Sequence, residues 1–145
     1  MKVTIVEDPN VVETEISIVC PQMTEELRDI VSNLTSAGLT FAGQKENEIF
    51  FVPIKEIFYF ESVEGTIFFY TEQDTYEATE KLYTIEENLK KQQFARVSKT
   101  IIANLDKMLS IKRVEGSRLV ATLSNQEKIV VSRKYVPEIK KKLGV

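Results

Sequence analysis

Apolar and polar residues alternate over the first twenty positions. Val12, Thr14, Ile16 and Ile18 fall on one face of an extended chain, with Val11, Glu13, Glu15 and Ser17 on the other, which predicts a strand over 11–19. A shorter run predicts a second strand at 3–6, and the Asp8-Pro9-Asn10 cluster between them predicts a turn. The period then changes. Met23, Leu27, Ile30, Val31 and Leu34 recur at helical spacing after Pro21, and Gly38 stands at the C′ position expected of a helix end. These elements make a small ββα unit over residues 1–45, marginal in size as an independent domain. Gln44-Lys45-Glu46-Asn47 is the expected linker to a second domain over 46–145.

From Glu48 the pattern is mostly that of strands. Ile49–Val52, Ile54–Glu61, Thr66–Thr71 and Thr75–Ala78 are strand-like, the first two rich in aromatic and β-branched residues, with turns at Val63-Glu64-Gly65 and Glu72-Gln73-Asp74. A helix is predicted from about Glu80 to Lys90, with Leu82, Ile85 and Leu89 on its buried stripe and Thr79 as N-cap. Four strands follow at 94–97, 108–114, 118–123 and 128–132, the last three separated by turns at Glu115-Gly116-Ser117 and Ser124-Asn125-Gln126. A short final helix runs through Val136, Ile139 and Leu143, with Pro137 in its first turn and Gly144 closing it. The class is α+β, with the second part β-dominated.

Composition narrows the chemistry. The 145 residues are 43% hydrophobic and 28% charged with five Gly and four Pro, which suits a packed domain and argues against disorder. Apolar runs such as Ile49–Val52 are far short of the roughly 20 residues a bilayer demands, so the chain is not expected to be membrane-embedded. The first residues lack the apolar region of a secretory signal, and a cytoplasmic location is expected. With no His there is no Ser-His-Asp triad, no Cys-His dyad and no imidazole zinc ligand. Cys20 cannot form an internal disulfide; following Ser17-Ile18-Val19 it is expected to be a buried thiol. No paired carboxylates, phosphate-cradling Gly loop or nucleophile beside a base is found, so neither enzyme activity nor a cofactor or metal site is expected.

Charge changes the picture more. The first 93 residues carry seven Lys and Arg against 18 Asp and Glu, a net −11, while the last 52 carry 12 against 4, a net +8, leaving −3 overall. Local charge neutralises phosphates, so a basic final third admits a nucleic-acid partner that the total charge would discourage. Pairing of the two parts within one fold is the bland alternative.

Four stretches then stand in a recognisable order: Ile57-Phe58-Tyr59-Phe60-Glu61-Ser62, Leu82–Leu89, Phe94-Ala95-Arg96-Val97-Ser98-Lys99-Thr100-Ile101-Ile102-Ala103-Asn104-Leu105, and Ile129-Val130-Val131-Ser132-Arg133-Lys134-Tyr135. Over about residues 50–143 the chain resembles the LytTR-type DNA-binding domain, a family of bacterial transcription regulators. The resemblance implies a mainly antiparallel β architecture that reads successive major grooves through loops. It implies base contacts by Lys99 and Arg133, backbone phosphate contacts at Thr100 and Lys134, and a third loop contact at the Val63–Thr66 turn, where Gly65 and Thr66 lie. The chain differs from many members in having Ser98 where His is common and Ala103 before Asn104, and Glu64 in that turn repels phosphate.

The residue chemistry agrees. The guanidinium of Arg133 matches guanine O6 and N7, and Lys99 brings a point charge to the same acceptors. Arg96, Lys112, Arg113, Arg118 and Lys128 suit phosphate, as do the hydroxyls of Ser98, Thr100 and Ser132. Turn or strand-edge hydrogen bonding, and helix capping for Ser132, is the structural alternative for those hydroxyls. Asn104 is expected to hold a turn, and Lys140-Lys141-Lys142 to be a solvated helix face.

Val3–Asp8 resembles the first strand and acidic pair of a receiver domain, but about 45 residues precede the DNA-binding part where a receiver needs about 120, so phosphoacceptance is not expected. The ββα unit is instead expected to serve self-association or regulation, with a membrane protein as regulator by analogy to receiverless relatives. The expected function is a double-stranded DNA-binding transcription regulator acting as a homodimer or as paired copies on repeated sites. The alternative is a protein-interaction module docking an acidic partner on the basic face. Single-strand binding through Phe58, Tyr59, Phe60, Phe68, Phe69 and Tyr70 is a third reading, against which these aromatics suit a β core.

Overall fold

From residue 40 onward, alternation along the chain is converted into hydrogen-bonded ladders. A computed structural model of the chain describes residues 1–36 and 39–145. One antiparallel sheet contains β1 (Thr40–Lys45), β2 (Glu48–Pro53), β3 (Tyr59–Val63), β4 (Thr66–Tyr70), β5 (Thr75–Ala78), β6 (Phe94–Arg96) and β7 (Ile101–Asn104), in the order β2-β1-β5-β4-β3-β7-β6. A three-stranded antiparallel sheet contains β8 (Met108–Val114), β9 (Arg118–Leu123) and β10 (Lys128–Val131), in the order β10-β9-β8. Three α-helices accompany them: α1 (Glu25–Ser36), α2 (Leu82–Leu89) and α3 (Val136–Leu143). The chain is therefore α+β and β-dominated, as its pattern indicates.

Two apolar clusters share β6 and β7. Phe94 and Ile102 join Phe41, Phe60, Phe69, Leu82, Ile85 and Leu89 in the first, so α2 rests on one face of the large sheet. Ala95 and Ala103, pointing the opposite way, join Leu119, Leu123, Ile129, Val131 and Ile139 in the second, where the small sheet and α3 pack. This double burial explains why Ile101-Ile102-Ala103 reads as a continuous apolar run and why β7 escapes detection by alternation. Ring contacts consolidate the first cluster, with Phe41 edge-on to Phe60 at 4.9 Å and to Phe69 at 5.2 Å. A Cβ at Gly43 would lie 2.3 Å from the Phe69 ring, so glycine is what lets β1 approach.

The N-terminal region departs from expectation. The strands at 3–6 and 11–19 do not form: residues 1–24 lie outside helix and strand, and Val3, Ile5, Val12, Ile16 and Ile18 are exposed. Alternation makes a strand only when a neighbouring edge accepts its N–H and C=O groups, and among the described residues no ladder includes any position before Thr40. Cys20 is accordingly exposed, not buried. The expected helix does form, as α1. Thr24 Oγ1 accepts the Leu27 N–H at 3.2 Å as its cap. Leu27, Ile30 and Val31 are half-buried, whereas Met23 and Leu34 face solvent; Gly38 lies outside the described residues.

Smaller departures have local causes. The linker expected at Gln44–Asn47 is the end of β1 and a hairpin turn in which Glu46 and Asn47 have φ of 51° and 64°, so the large sheet runs across residue 45. Ile54–Glu61 is not one strand. Pro53, lacking an N–H, ends β2, a 3-10 turn covers Ile54–Glu56, and the ladder resumes at Tyr59. Thr79 does not cap α2; that position falls to Lys81, whose side chain makes no capping bond. The last helix ends as expected, on Gly144 at φ 75°. No helix among the described residues is long and apolar enough to cross a membrane.

Candidate nucleic-acid interface

Three loops meet at one end of the strands. The β3–β4 turn has φ of 51° at Glu64 and 85° at Gly65, a tight hairpin that needs a left-handed residue at both central positions. Because Glu61 pairs with Ile101 and Arg96 pairs with Ile102, this turn adjoins the β6–β7 loop. A backbone bond joins them, from the Ser62 N–H to the Thr100 carbonyl at 2.8 Å. On the other side of the same loop, the Ser132 N–H donates to the Val97 carbonyl at 2.8 Å. Lys99 and Arg133 are thus carried by segments bonded to each other, two residues and one residue beyond the bonded positions.

The loops are also shaped from within. Ser98 Oγ accepts the Thr100 N–H at 3.2 Å, which folds the β6–β7 loop and leaves Lys99 and Thr100 exposed. Arg133 and Lys134 open a 3-10 turn in which the Tyr135 N–H bonds to the Ser132 carbonyl at 2.8 Å. Ser132 occupies the N-cap position of that turn without a side-chain capping bond. The Lys134 ammonium lies 5.4 Å from the Tyr135 ring centroid. Thr66 is half-buried beside the exposed Gly65. At the other end of β7 from these loops, Asn104 is buried; it donates to the Ile57 carbonyl at 2.8 Å and accepts the Asp106 N–H at 3.0 Å. It holds a turn, as expected.

Arg96 is differently placed. Its Nε and Nη2 donate to Glu86 Oε1 at 3.2 and 3.1 Å, and its Nη1 donates to the Lys99 carbonyl at 2.7 Å. Glu86 is the residue that sequence reasoning missed: its partner is ten positions away across a helix end, and no spacing rule links them.

The remaining cations divide between faces of the small sheet. Arg113 stands opposite Leu119 and so in the row of Val131, at the end of β10 that leads to Arg133. Lys112, Arg118 and Lys128 stand opposite Val120, Val114 and Thr122, in the outward-facing rows. Arg118 donates from Nε to the Glu115 carbonyl at 3.0 Å. Lys128 opens β10, three strand steps or about 10 Å from Val131. The structure therefore gathers Lys99, Thr100, Arg133, Lys134, Gly65 and Thr66 at one edge, with Arg113 near it, and sets Lys128 at the far end.

A family model of the LytTr DNA-binding domain matches residues 47–144. The chain belongs to the LytTr DNA-binding domain family. A solved LytTr DNA-binding domain from Bacillus cereus shares the fold, with a TM-score of 0.69 at 23% identity, covering 73% of this chain and 97% of that one. Among relatives, the sensory transduction protein LytT of Enterococcus faecalis is 31% identical over 102 residues, 70% of this chain and 42% of its own length. A Staphylococcus aureus protein named as an HTH-type transcriptional regulator is 26% identical over 151 residues, all of this chain and 99% of its own length. The chain spans half or less of the length of the LytT proteins it matches. The matched LytTr region begins within the β1–β2 hairpin, so β1 is a strand that precedes it and joins its sheet.

Two tyrosines carry shifted phenols, Tyr59 bonded across to the small sheet and Tyr70 bonded within the large one. Tyr59 donates to Glu127 Oε2 at 2.7 Å, and Tyr70 donates to Glu61 Oε1 at 2.9 Å. Partial burial and then the Glu61 bond push the Tyr70 phenol up to about 12. Tyr59 is raised further by the same two causes, with Glu127 as its partner.

Proposed function

We propose that this chain is a transcription regulator that binds duplex DNA sequence-specifically through its three adjoining loops. Lys99 and Arg133 read base edges in the major groove. Ser98, Thr100, Ser132 and Lys134 meet the phosphates beside them, with Gly65 and Thr66 in contact at the third loop. Lys112, Arg113, Arg118 and Lys128 contribute attraction at longer range. The single observation that carries the reading is the Ser132 N–H to Val97 C=O bond, which sets two cationic loops from distant parts of the sequence side by side. Strands separate all three helices, so the described residues contain no consecutive helix pair to act as a recognition motif. Two copies on repeated half-sites enlarge the small footprint of one domain. The reading gives no phosphoacceptor role to Glu7 and Asp8, which are exposed outside any strand, and it places the protein in the cytoplasm without catalytic activity.

The test is selection of duplexes from a random pool, followed by anisotropy titrations of the selected duplex, a scrambled duplex and a single strand at two salt concentrations. Preference for the selected duplex that persists at the higher salt supports the reading. Equal binding of all three replaces it with non-specific nucleic-acid binding, and no binding of any of them, with a labelled acidic peptide bound in the same assay, replaces it with the protein-docking alternative.

A further inference from the structure

Arg96 is only 14% exposed in its side chain, although it adjoins a loop whose Lys99 and Thr100 are exposed. All three of its nitrogens donate to groups of the protein itself, two to Glu86 and one to the Lys99 carbonyl. Glu86 in turn is carried by α2, whose Leu82, Ile85 and Leu89 are buried in the first apolar cluster. A continuous mechanical line thus runs from the core through α2 and Glu86 to the Arg96 guanidinium and on to the backbone of Lys99. Planarity matters here, because a fork of fixed geometry that engages a carboxylate and a carbonyl together leaves its far end little freedom. Glu86 also cancels the Arg96 charge, so this cation adds little to phosphate attraction.

We propose that Arg96 and Glu86 are positioning residues that fix the peptide of Lys99 for base reading, and that Arg96 is not a phosphate contact. The inference rests on the reading of Lys99 as a base-contacting residue. Its mark is loss of discrimination without loss of general DNA affinity.

The experiment measures affinity for the selected duplex and for a scrambled duplex across a salt series. The proteins are the parent, Lys99→Ala, Arg96→Ala, Arg96→Lys, Glu86→Gln and the double variant Arg96→Ala with Lys99→Ala, each checked for folding by thermal melt. Arg96→Lys, which keeps the charge and loses the fork, is expected to lower the selected-to-scrambled ratio about tenfold, within the range set by one base contact, with scrambled-duplex affinity and salt slope unchanged. Arg96→Ala lowers the ratio as far and, by uncovering the Glu86 carboxylate, also weakens both duplexes modestly. Glu86→Gln, the variant least disturbing to folding, loses a smaller part of the ratio. The double variant discriminates no worse than Lys99→Ala alone, because Arg96 acts through Lys99. A ratio kept in Arg96→Lys, with Arg96→Ala weakening both duplexes equally and lowering the salt slope by about one, makes Arg96 a phosphate contact and overturns the proposal. Independent, multiplying effects of the Arg96 and Lys99 changes overturn it too, as does an unchanged ratio in Arg96→Ala and Glu86→Gln. If Lys99→Ala alone leaves the ratio intact, the base-reading assignment itself fails, and that result is visible without reference to Arg96.

Discussion

Lys99 and Arg133 differ from Lys112, Arg118 and Lys128 less in charge than in what holds them. The first pair sits on loops whose amides and carbonyls are bonded to neighbouring segments, at Thr100 from Ser62 and at Val97 from Ser132. The second group projects from strand positions of the small sheet, in rows shared with Val120, Val114 and Thr122. A base edge offers its acceptors at one place only, so a side chain that reads it needs a fixed root; a phosphate row accepts a mobile charge anywhere along it. The same distinction accounts for cations on β8 without any nucleic acid, since charged residues on an edge strand also discourage pairing with another sheet. Position on tethered loops, not basicity, is what sets Lys99 and Arg133 apart as the proposed reading residues.

The largest effect is expected where the sheet that carries the tethered loops is itself weakened. Asn104→Ala deletes the bonds to the Ile57 carbonyl and the Asp106 N–H in a buried site; it is expected to cost about 2–3 kcal/mol of folding stability, read from denaturant unfolding. Next in size, Arg133→Ala is expected to cost about 1–3 kcal/mol on the selected duplex and to relax one base position. Titration of single-position duplex variants checks this, and an equal loss on scrambled DNA erases the distinction between the two groups. Lys112→Ala is expected to weaken all duplexes alike and to lower the slope of log affinity against log salt by about one. Lys128→Ala does less than Lys112→Ala in the same titration, because Lys128 opens β10 at the end remote from Arg133.

The smallest effect concerns the two bonded tyrosines, Tyr59 between the sheets and Tyr70 within the large one. Tyr70 is raised from its ordinary 10.0 to about 12, and Tyr59 is raised further. A phenol held protonated by the fold contributes stability that is fully present below pH 10 and is lost as pH rises through the folded value. Unfolding free energy is therefore expected to be flat in this respect up to about pH 10 and to decline towards pH 12. Tyr70→Phe and Tyr59→Phe should each flatten that decline in alkaline denaturant titrations.

Most strands after residue 48 are legible because β-branched and aromatic residues cluster between turn residues there, as at Thr66–Tyr70 and Arg118–Leu123. Two strands are not. In β1, Thr-Phe-Ala-Gly-Gln-Lys has only Phe41 and Gly43 buried, so its pattern is too faint to declare a strand. In β7 the opposite holds, since burial on both faces erases alternation. Residues 11–19 teach the converse lesson: a clear alternation that no ladder receives.

By itself the sequence determined the β-dominated class, the basic final third and the order of the segments bearing Lys99 and Arg133, because composition, local period and turn chemistry are properties of neighbouring residues. Only the tertiary structure decided that these two cations share an edge, that Arg96 turns to Glu86 and the Lys99 carbonyl, and that residues 1–24 stay unpaired. Each of those outcomes depends on hydrogen-bond partners brought in from elsewhere in the chain, and a one-dimensional pattern carries no record of which partner arrives.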